Sequence, residues 1–315
     1  MTGLLTVTLN PALDVSTSVD HVRPEDKLRC ATPSLDTGGG GVNVARAIGE
    51  LGGRAAAFVA LAGHTGAQFA DLLAAEPLDP VVFDIPGETR QSLAVTDGGT
   101  GEQFRFVMPG PIWSETLVAD AIRAIVAATP VQGLVVLSGS QPPGVPDHFP
   151  AALAQAIAEK SAGLVLDTSG APMRALRARQ QSPLHVLRLD GAESADLAGR
   201  PLKGRDDVAA FAQSLVASGI AEMVVLALGP DGSVLATAEG RWHANTRDVP
   251  VLSKVGAGDS FVGAFALALS QGAAPEQALV RGCAAASAAV MTDATALCRR
   301  ADVDELAASA TLTRL

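Results

Sequence analysis

Short, fully apolar runs alternate along the chain with longer segments in which apolar residues recur at spacings of three and four. Runs of the first kind are typical of strands buried on both faces of a parallel sheet, and the second spacing predicts helices. Two such helical segments are 42–51 and 208–216. The sequence therefore predicts a three-layer α/β domain with a mainly parallel central sheet. The strands expected in that sheet are 4–9, 55–61, 133–137, 164–167, 185–189 and 223–228.

Two segments depart from this alternation. Residues 15–35 mix polar and apolar positions without a helical period. Residues 90–109 predict a hairpin, with strands at 91–96 and 102–108 joined by a turn through Asp97-Gly98-Gly99. An antiparallel hairpin beside a parallel sheet indicates a small accessory sheet that covers part of the main domain.

The second strand of the predicted hairpin has one apolar side. Phe104 and Phe106 lie on that side and Arg105 on the other, because successive side chains of a strand alternate. An apolar face on a lid is expected to pack against another surface, so the sequence predicts a homodimer through the lid. We expect one domain over residues 1–315, with a β lid inserted from about 15–36 and 87–110.

The composition is that of a soluble globular protein. Hydrophobic residues make up 48% of the 315 positions and charged residues 18%, which excludes a disordered chain. The 23 basic and 33 acidic residues leave a net charge of −10, so a general nucleic-acid-binding surface is not expected. The start lacks the basic segment of a signal peptide, and the apolar run 261–269 is too short to span a membrane. We expect a cytoplasmic protein that binds no membrane.

A glycine-rich loop, Val255-Gly-Ala-Gly-Asp-Ser260, precedes that apolar run. Gly256 and Gly258 let backbone N–H groups turn toward a ligand, and the positive end of a following helix favours phosphate oxygens there. Asp259 would lie in the first turn of the helix, placed to take a proton from a hydroxyl group during phosphoryl transfer. The alternative is a tight turn followed by an ordinary helix-start residue. The loop is neither a Gly-x-Gly-x-x-Gly dinucleotide motif nor a Walker A motif.

A second glycine run, Gly38 to Gly41, leads directly into a predicted helix. Four glycines in a linker provide flexibility, but before a helix they also let the backbone approach a small polar ligand closely. Asn43 follows at once and offers both a donor and an acceptor to hydroxyl groups. We favour a ligand site at this run.

Four basic residues lie in the two irregular segments. Lys27 and Arg29 belong to the first, and Arg90 and Arg105 to the base and arm of the hairpin. If the segments converge, these side chains form a positive patch suited to a phosphate group; otherwise they are ordinary surface charges. Asp14 follows the first predicted strand, where ligands of α/β sheets collect, and it either accepts hydrogen bonds from sugar hydroxyls or closes a turn.

These motifs together resemble those of the PfkB (ribokinase-like) family of carbohydrate kinases, over about Thr6 to Cys298. The two family signatures correspond to 38–47 and 255–260. Segments 27–30, 89–91, 103–110 and 138–144 are similar to the phosphofructokinase branch of the family. The resemblance implies a ribokinase-like fold and an ATP-dependent reaction, with Mg²⁺, that converts fructose 6-phosphate to fructose 1,6-bisphosphate. It also implies that the lid forms the dimer.

The resemblance further implies roles for individual residues. Asp259 matches the base that deprotonates the sugar hydroxyl, and the backbone of Gly256, Ala257 and Gly258 matches the anion hole for the transferring phosphoryl group. The positions that match sugar-hydroxyl ligands are Asp14, Gly39, Gly40 and Asn43. Those that match the substrate-phosphate site are Lys27, Arg90, Arg105 and Ser138, with Arg29 beside them. Those that match the nucleotide site are Gly229, Gly232 and Ser287.

Four positions depart from the family pattern. The family's Asn-x-x-Glu, which organises magnesium and its waters, appears here as Asp190-Gly-Ala-Glu193, so Glu193 and Asp190 are expected to hold the metal through water. The lysine two positions earlier is Arg188, and a common hydroxyl residue is Ala227. Lys254 replaces a Thr or Ser before the anion loop. We place Arg188, Asp190 and Lys254 at the nucleotide.

Several alternatives stay open at this point. Tagatose 6-phosphate and fructose 1-phosphate are alternative substrates, because the sequence does not separate epimers at one hydroxyl. Outside the enzymes, the alternative is a phosphosugar or nucleotide sensor on the same fold. A nicotinamide-dependent oxidoreductase is disfavoured by the missing dinucleotide motif, and no Gly-x-Ser-x-Gly element indicates a hydrolase.

Overall fold

A computed structural model describes residues 2–177, 182–293 and 296–315. Within them lies a ten-stranded sheet, in the order β14-β13-β12-β11-β10-β9-β8-β1-β4-β5. The strands from β11 to β5 are parallel to one another, and β12, β13 and β14 form an antiparallel edge. The strands are β1 Leu4–Thr8, β4 Ala56–Leu61, β5 Asp79–Asp84, β8 Leu134–Ser138, β9 Gly163–Asp167, β10 Leu184–Leu189, β11 Ala221–Ala227, β12 Ser233–Thr237, β13 Gly240–Asn245 and β14 Thr311–Arg314.

Helices cover both faces of this sheet, which confirms the predicted three-layer α/β architecture. In the described part of the chain, no helix is both long enough and apolar enough to cross a membrane. The helices are α1 Gly40–Glu50, α2 Gly63–Ala74, α3 Glu115–Ala128, α4 Phe149–Ala158, α5 Ala171–Arg174, α6 Gly191–Ala198, α7 Gly204–Ala217, α8 Ala257–Ser270, α9 Pro275–Ala289 and α10 Arg300–Ser309.

The apolar runs arise because each central strand contributes to two cores. In β8, Val135 and Leu137 pack into the core that contains α3, α4 and α7, and Leu134 and Val136 into the core under α8 and α9. A strand covered on both faces is therefore apolar at most of its positions. All six predicted strands are present within one or two residues.

The strands that the pattern did not predict lie at the two edges of the sheet. In β5, exposed and partly buried positions alternate, because only one face of this edge strand is covered. The antiparallel edge consists of β12, β13 and β14. Polar residues interrupt β13 and β14, so neither has an apolar run, and β12 is buried throughout but has only three apolar residues in a row.

A second sheet of four strands forms the lid, in the order β3-β2-β6-β7. The predicted hairpin is present as an antiparallel pair of strands. The segment 15–35, which has no helical period, contributes two strands to the lid, and the first of them begins at residue 12. In that strand Val15, Thr17 and Val19 alternate with polar residues, which is a strand period. The strands are β2 Ala12–Val19, β3 Ser34–Gly38, β6 Arg90–Asp97 and β7 Gln103–Val107.

Helix α1 packs very close to the end of β1, and a glycine makes this approach possible. A Cβ atom on Gly41 would lie 2.5 Å from Thr8 Oγ1 and 2.6 Å from the carbonyl oxygen of Val7. The backbone of a central strand cannot move aside without disturbing the sheet. The start of α1 is therefore fixed against the strand by the absence of a side chain.

We predict that Gly41→Ala lowers the free energy of unfolding by about 1–3 kcal/mol, because the added methyl group overpacks this contact. Gly49→Ala is the matched control, since a Cβ at Gly49 meets no atom within 4 Å in the same helix. That substitution should be neutral or stabilise by up to about 1 kcal/mol. Urea unfolding of the two variants and the wild type measures the difference; equal effects would contradict the close approach.

Candidate active site

The start of α8 presents free backbone N–H groups at the carboxyl ends of the parallel strands. Gly256 precedes the helix with φ 77°, a left-handed conformation that favours glycine. No side chain caps the first turn, so the N–H groups of Ala257, Gly258 and Asp259 are available to an anion. This placement supports the predicted anion hole.

Asp259 lies partly buried in the first turn of α8. Its Oδ2 accepts a hydrogen bond of 3.0 Å from Asn43 Nδ2 on α1. Burial, and next the charge of Asp167, raise its pKa to about 7, while the Asn43 hydrogen bond and Arg188 act in the opposite direction. A carboxyl group with this pKa can accept a proton near neutral pH and release it again.

Arg188 and Asp167 form an ion pair beside Asp259. The distance from Arg188 Nη1 to Asp167 Oδ1 is 3.0 Å, and Ser138 Oγ donates to Asp167 Oδ2 at 3.2 Å. Burial opposes the charge of Arg188, but the neighbouring carboxylates, Asp167 first, raise its pKa above the usual range. A Cβ on Gly258 would lie 3.2 Å from Arg188 Nη1, so the guanidinium lies directly against the anion hole.

These residues surround a cavity of about 220 Å³. The glycine run closes one side of it, because a Cβ on Gly40 would lie 2.4 Å from Ser138 Oγ. Gly39, with φ 136°, turns the chain into α1. The lining consists of Gly40, Ser138, Gly139, Ser140, Asp167, Thr168, Ser169, Arg188, Glu193, Gly258 and Asp259.

Asp190 and Glu193 form a reciprocal cap at the start of α6. Asp190 Oδ1 accepts from the Glu193 N–H at 2.8 Å, and Glu193 Oε2 accepts from the Asp190 N–H at 2.8 Å. Burial raises the pKa of Glu193, and the Asp190 N–H opposes that rise. Glu193 reaches the cavity, whereas Asp190 lies outside its lining.

The described residues contain no group of three or more His, Cys, Asp or Glu side chains arranged for a metal ion. Mg²⁺ is commonly held by one or two carboxylates together with waters and substrate phosphates. Glu193 and the nearby Asp167 fit that sparse donor set in the cavity.

The lid brings a second group of predicted residues together on one face. Asp14 on β2 pairs in register with Ser92 on β6, to which it is hydrogen bonded, and Arg105 and Arg90 lie near its carboxyl group. Burial raises the pKa of Asp14, and Arg105, Ser92 and Arg90 oppose that rise. A Cβ on Gly38 would overlap Asp14 Oδ2, so the glycine run contacts this cluster as well as the cavity.

The two arginines of the lid differ in exposure. Arg90 donates from Nε and Nη2 to the carbonyl oxygen of Asn10, at 3.2 and 3.1 Å, and burial lowers its pKa. Arg105 is exposed. Lys27 and Arg29 lie in the exposed loop between β2 and β3, and neither forms a hydrogen bond or ion pair with another part of the chain that the structure describes. The structure thus groups Arg90 and Arg105 with Asp14, but not Lys27 and Arg29.

Four further residues predicted for the nucleotide site lie on separate elements after β11. Gly229 and Gly232 bound a short turn between β11 and β12, both with positive φ. Ser287 on α9 shares a hydrogen bond of 2.6 Å with Thr246 Oγ1. Lys254 is exposed just before the anion loop.

Asp167 is the functional residue that sequence reasoning missed. It was predicted only as the last residue of a strand, although a carboxylate at the carboxyl end of a central parallel strand is a common position for a site residue. The same argument that selected Asp14 would have selected it. Thr168 and Ser169 follow it into the cavity and were missed with it.

Comparisons with known proteins show which family and fold the chain is similar to. The pfkB family carbohydrate kinase profile matches residues 8–301. The chain is 37% identical over 311 residues to the ATP-dependent 6-phosphofructokinase isozyme 2 of Mycobacterium tuberculosis, covering 98% of this chain and 91% of that one. It is also 37% identical to the Escherichia coli protein of the same description, covering 97% and 98%. The crystal structure of E. coli phosphofructokinase-2 in complex with fructose-6-phosphate has a TM-score of 0.88, at 36% identity, and covers 98% of this chain and 99% of that one.

We predict that Asp259→Asn stabilises the protein at pH 8 by up to about 4 kcal/mol but not at pH 4. The pKa rises from 3.8 in the unfolded chain to about 7 in the folded one, so the folded state binds the proton more tightly. That contribution is complete below about pH 4 and is lost as the pH rises through 7. Denaturant unfolding at several pH values measures the difference.

The control for this experiment is Asp71→Asn, at an exposed position on α2. It should leave the free energy of unfolding nearly unchanged at each pH. A gap between wild type and Asp259→Asn that does not vary with pH would contradict the raised pKa.

Proposed function

The chain belongs to the pfkB family of carbohydrate kinases, and we propose that it transfers the γ-phosphoryl group of ATP to the C1 hydroxyl of fructose 6-phosphate. The observation that carries this proposal is the position of Asp259, a carboxyl group with a pKa of about 7 at the uncapped start of α8. The relatives named above supply the expected substrate.

In the proposed reaction, Asp259 accepts the proton of the C1 hydroxyl as its oxygen attacks the γ-phosphorus in line. The bond from the γ-phosphorus to the β,γ-bridging oxygen breaks, and ADP leaves with that oxygen. The N–H groups of Ala257 and Gly258 and the guanidinium of Arg188 stabilise the negative charge on the transferring group. Because these donors are held in place before the substrate arrives, little reorganisation is needed at the moment of reaction.

Bound Mg²⁺ would neutralise charge on the ATP phosphates. Glu193 is the residue best placed to hold it through water, because its carboxyl group lines the cavity. Asp190 holds Glu193 in place through the reciprocal cap. We propose that Asp190 has this positioning role in addition to holding the metal through water and lying at the nucleotide.

We propose that four further residues contact the nucleotide: Gly229, Gly232, Lys254 and Ser287.

At the other end of the substrate, we propose that the lid holds the 6-phosphate and the sugar. Arg90 and Arg105 supply positive charge next to Asp14, whose carboxyl group accepts hydrogen bonds from sugar hydroxyls. Asn43 and the backbone of Gly39 and Gly40 complete the sugar site. We propose Ser138, Lys27 and Arg29 as further phosphate ligands. Closure of the lid would exclude water that otherwise hydrolyses ATP.

The opposite face of the lid supports a homodimer. Leu35, Val15, Leu93 and Phe106 stand side by side across the four strands, because their backbone positions pair in register. Phe106 is 53% exposed and Phe104, on the same face, is 38% exposed. A continuous apolar row of this kind favours burial against a second copy of the lid.

The first test is ADP release with Mg-ATP in the presence of fructose 6-phosphate, tagatose 6-phosphate, fructose 1-phosphate or unphosphorylated fructose. We predict the highest kcat/KM for fructose 6-phosphate, since the relatives are described as 6-phosphofructokinases. Unphosphorylated fructose should give the lowest value, because it has no phosphate for the arginines of the lid to bind. Asp259→Asn should lose at least about 10³-fold in kcat and keep sugar binding, because a general base and its charge are removed. Near-normal turnover in that variant would contradict its role as the base.

Arg90→Ala is the companion variant for the phosphate site. It should raise KM for fructose 6-phosphate about tenfold or more and leave KM for Mg-ATP unchanged. An unchanged KM for the phosphosugar would remove Arg90 from the site. ATP binding without turnover on any of the sugars would favour a phosphosugar or nucleotide sensor.

For the dimer, we predict that Phe106→Asp weakens self-association at least tenfold, because a carboxylate in the apolar row must be desolvated in the interface. Sedimentation equilibrium of wild type and variant measures this. Val131→Asp is the control, since Val131 is 74% exposed in the turn between α3 and β8, away from the lid. Equal dissociation constants for Phe106→Asp and wild type would place the interface elsewhere.

A further inference from the structure

Arg46 lies on α1, one turn after Asn43, and its guanidinium group is surrounded by acceptors. Its Nε and Nη2 donate to Glu76 Oε2 and Oε1, each at 2.5 Å, in a two-pronged ion pair. Its Nη1 donates to the carbonyl oxygen of Thr37 at 2.7 Å. Thr37 Oγ1 accepts from Arg46 Nη2 and donates to Glu76 Oε1. The side chains of Arg46 and Glu76 are only 22% and 23% exposed, so the pair is largely removed from solvent.

The same guanidinium group determines which way the Asn43 amide faces. Arg46 Nη1 donates to Asn43 Oδ1 at 3.2 Å. Because arginine has donors and no acceptor, the oxygen of the amide must face Arg46 and its nitrogen must face away. That nitrogen is the atom that donates to Asp259 Oδ2 at 3.0 Å. A flipped amide would place an oxygen against a carboxylate and leave the guanidinium facing an N–H group.

We propose that Arg46 is a positioning residue, which acts through Asn43 to hold the carboxyl group of Asp259 in the orientation that accepts the substrate proton. This inference rests on the proposed function, in which Asp259 is the base. With Oδ2 occupied by the Asn43 amide, Oδ1 is left to face the hydroxyl group of the substrate. Glu76 keeps Arg46 in place, and the remaining charged groups around Asp259 are Asp167, Arg188 and Glu193 of the cavity.

The network also joins the base to the root of the lid. Thr37 immediately precedes the glycine run and belongs to β3, and Glu76 follows α2. Arg46 therefore holds three elements together: β3 of the lid, α1 and the segment after α2. If Thr37 moves with the lid, Arg46 would transmit that movement to Asn43, because its guanidinium group is hydrogen bonded to both residues.

The test compares Arg46→Met and Arg46→Lys with the wild type in the pH dependence of kcat. The loss of the ordered Asn43 donor should raise the pKa of Asp259 and move the acidic limb of the profile upward by about one pH unit. We expect kcat at pH 7 to fall about tenfold in both variants. Lysine can still pair with Glu76, but one ammonium group cannot reproduce the planar fork that bonds Glu76, Thr37 and Asn43 together.

A merely structural role would give a different result. Arg46→Lys would then recover the kcat profile of the wild type, because the ion pair across the three elements is kept. Arg281→Met is the matched control, since it removes a partly exposed arginine that pairs with Asp304 at 2.7 Å on α10, away from Asn43. It should leave the pH profile unchanged.

A double-mutant cycle shows whether the effect passes through Asn43. In an Asn43→Ala background, Arg46→Met should shift the acidic limb no further, because the amide that it orients is absent. Additive shifts would overturn the proposal, and so would an unchanged limb in both single variants.

A second measurement separates this proposal from the proposed function. The ¹³C resonance of the Asp259 carboxyl carbon, assigned by its loss in Asp259→Asn, reports its titration without any turnover. If no sugar is phosphorylated but Arg46→Met raises the pKa of Asp259, the proposed function fails and the positioning role stands. If the sugar is phosphorylated and the titration is unchanged in Arg46→Met, the positioning role fails alone.

Discussion

The site depends on one steric constraint, the passage of the glycine run between two groups of polar residues. Gly38 lies where a side chain would overlap Asp14 of the lid, and Gly40 where one would overlap Ser138 at the end of β8. Gly41 allows α1 to start against β1. Because the three contacts lie within four residues of chain, they fix the lid, the first helix and the central sheet relative to one another. Asn43 is then carried to Asp259 by the first turn of α1, without any further adjustment.

Within this frame, the electrostatics of the cavity oppose the stability of the fold. Burial, and next the charge of Asp167, disfavour the charged form of Asp259. Arg188 offsets part of this cost through its ion pair with Asp167, and Asn43 offsets another part through its hydrogen bond. What remains is a raised proton affinity at Asp259, which a base that cycles near neutral pH requires. In the proposed reaction this unfavourable charge is part of the chemistry, and perturbed pKa values of this kind are common at functional sites.

Much of this could be predicted from the sequence, because local pattern decided it. Six central strands, the hairpin and the glycine-rich loop before Asp259 follow from apolar runs, turn residues and spacing. The strands near the two edges of the sheet could not be predicted in that way, since β5, β13 and β14 contain exposed or partly buried polar positions and β12 has only three apolar residues in a row. The role that we propose for Arg46 could not be predicted from the sequence either. Its partner Glu76 lies 30 residues away, and the pairing depends on how α2 ends. The phosphate-binding role of Lys27 and Arg29 stays a prediction, because both lie in an exposed loop where no local pattern of the sequence determines which groups they contact.

The departure at Asp190 illustrates why a motif is better interpreted through its geometry than through its letters. Aspartate and asparagine are about equally good N-caps, since each offers an oxygen to the third N–H of the helix. Here that oxygen is bound to the N–H of Glu193, and Glu193 closes the cap in return. Aspartate in place of asparagine at position 190 therefore leaves α6 in the same position and keeps the carboxyl group of Glu193 in the lining of the cavity. The added negative charge lies near Arg188, whose guanidinium it helps to keep charged. The positive charge of Arg188 offsets the added negative charge of Asp190 as well as that of Asp167. A neutral residue at position 188 would not offset the extra carboxylate.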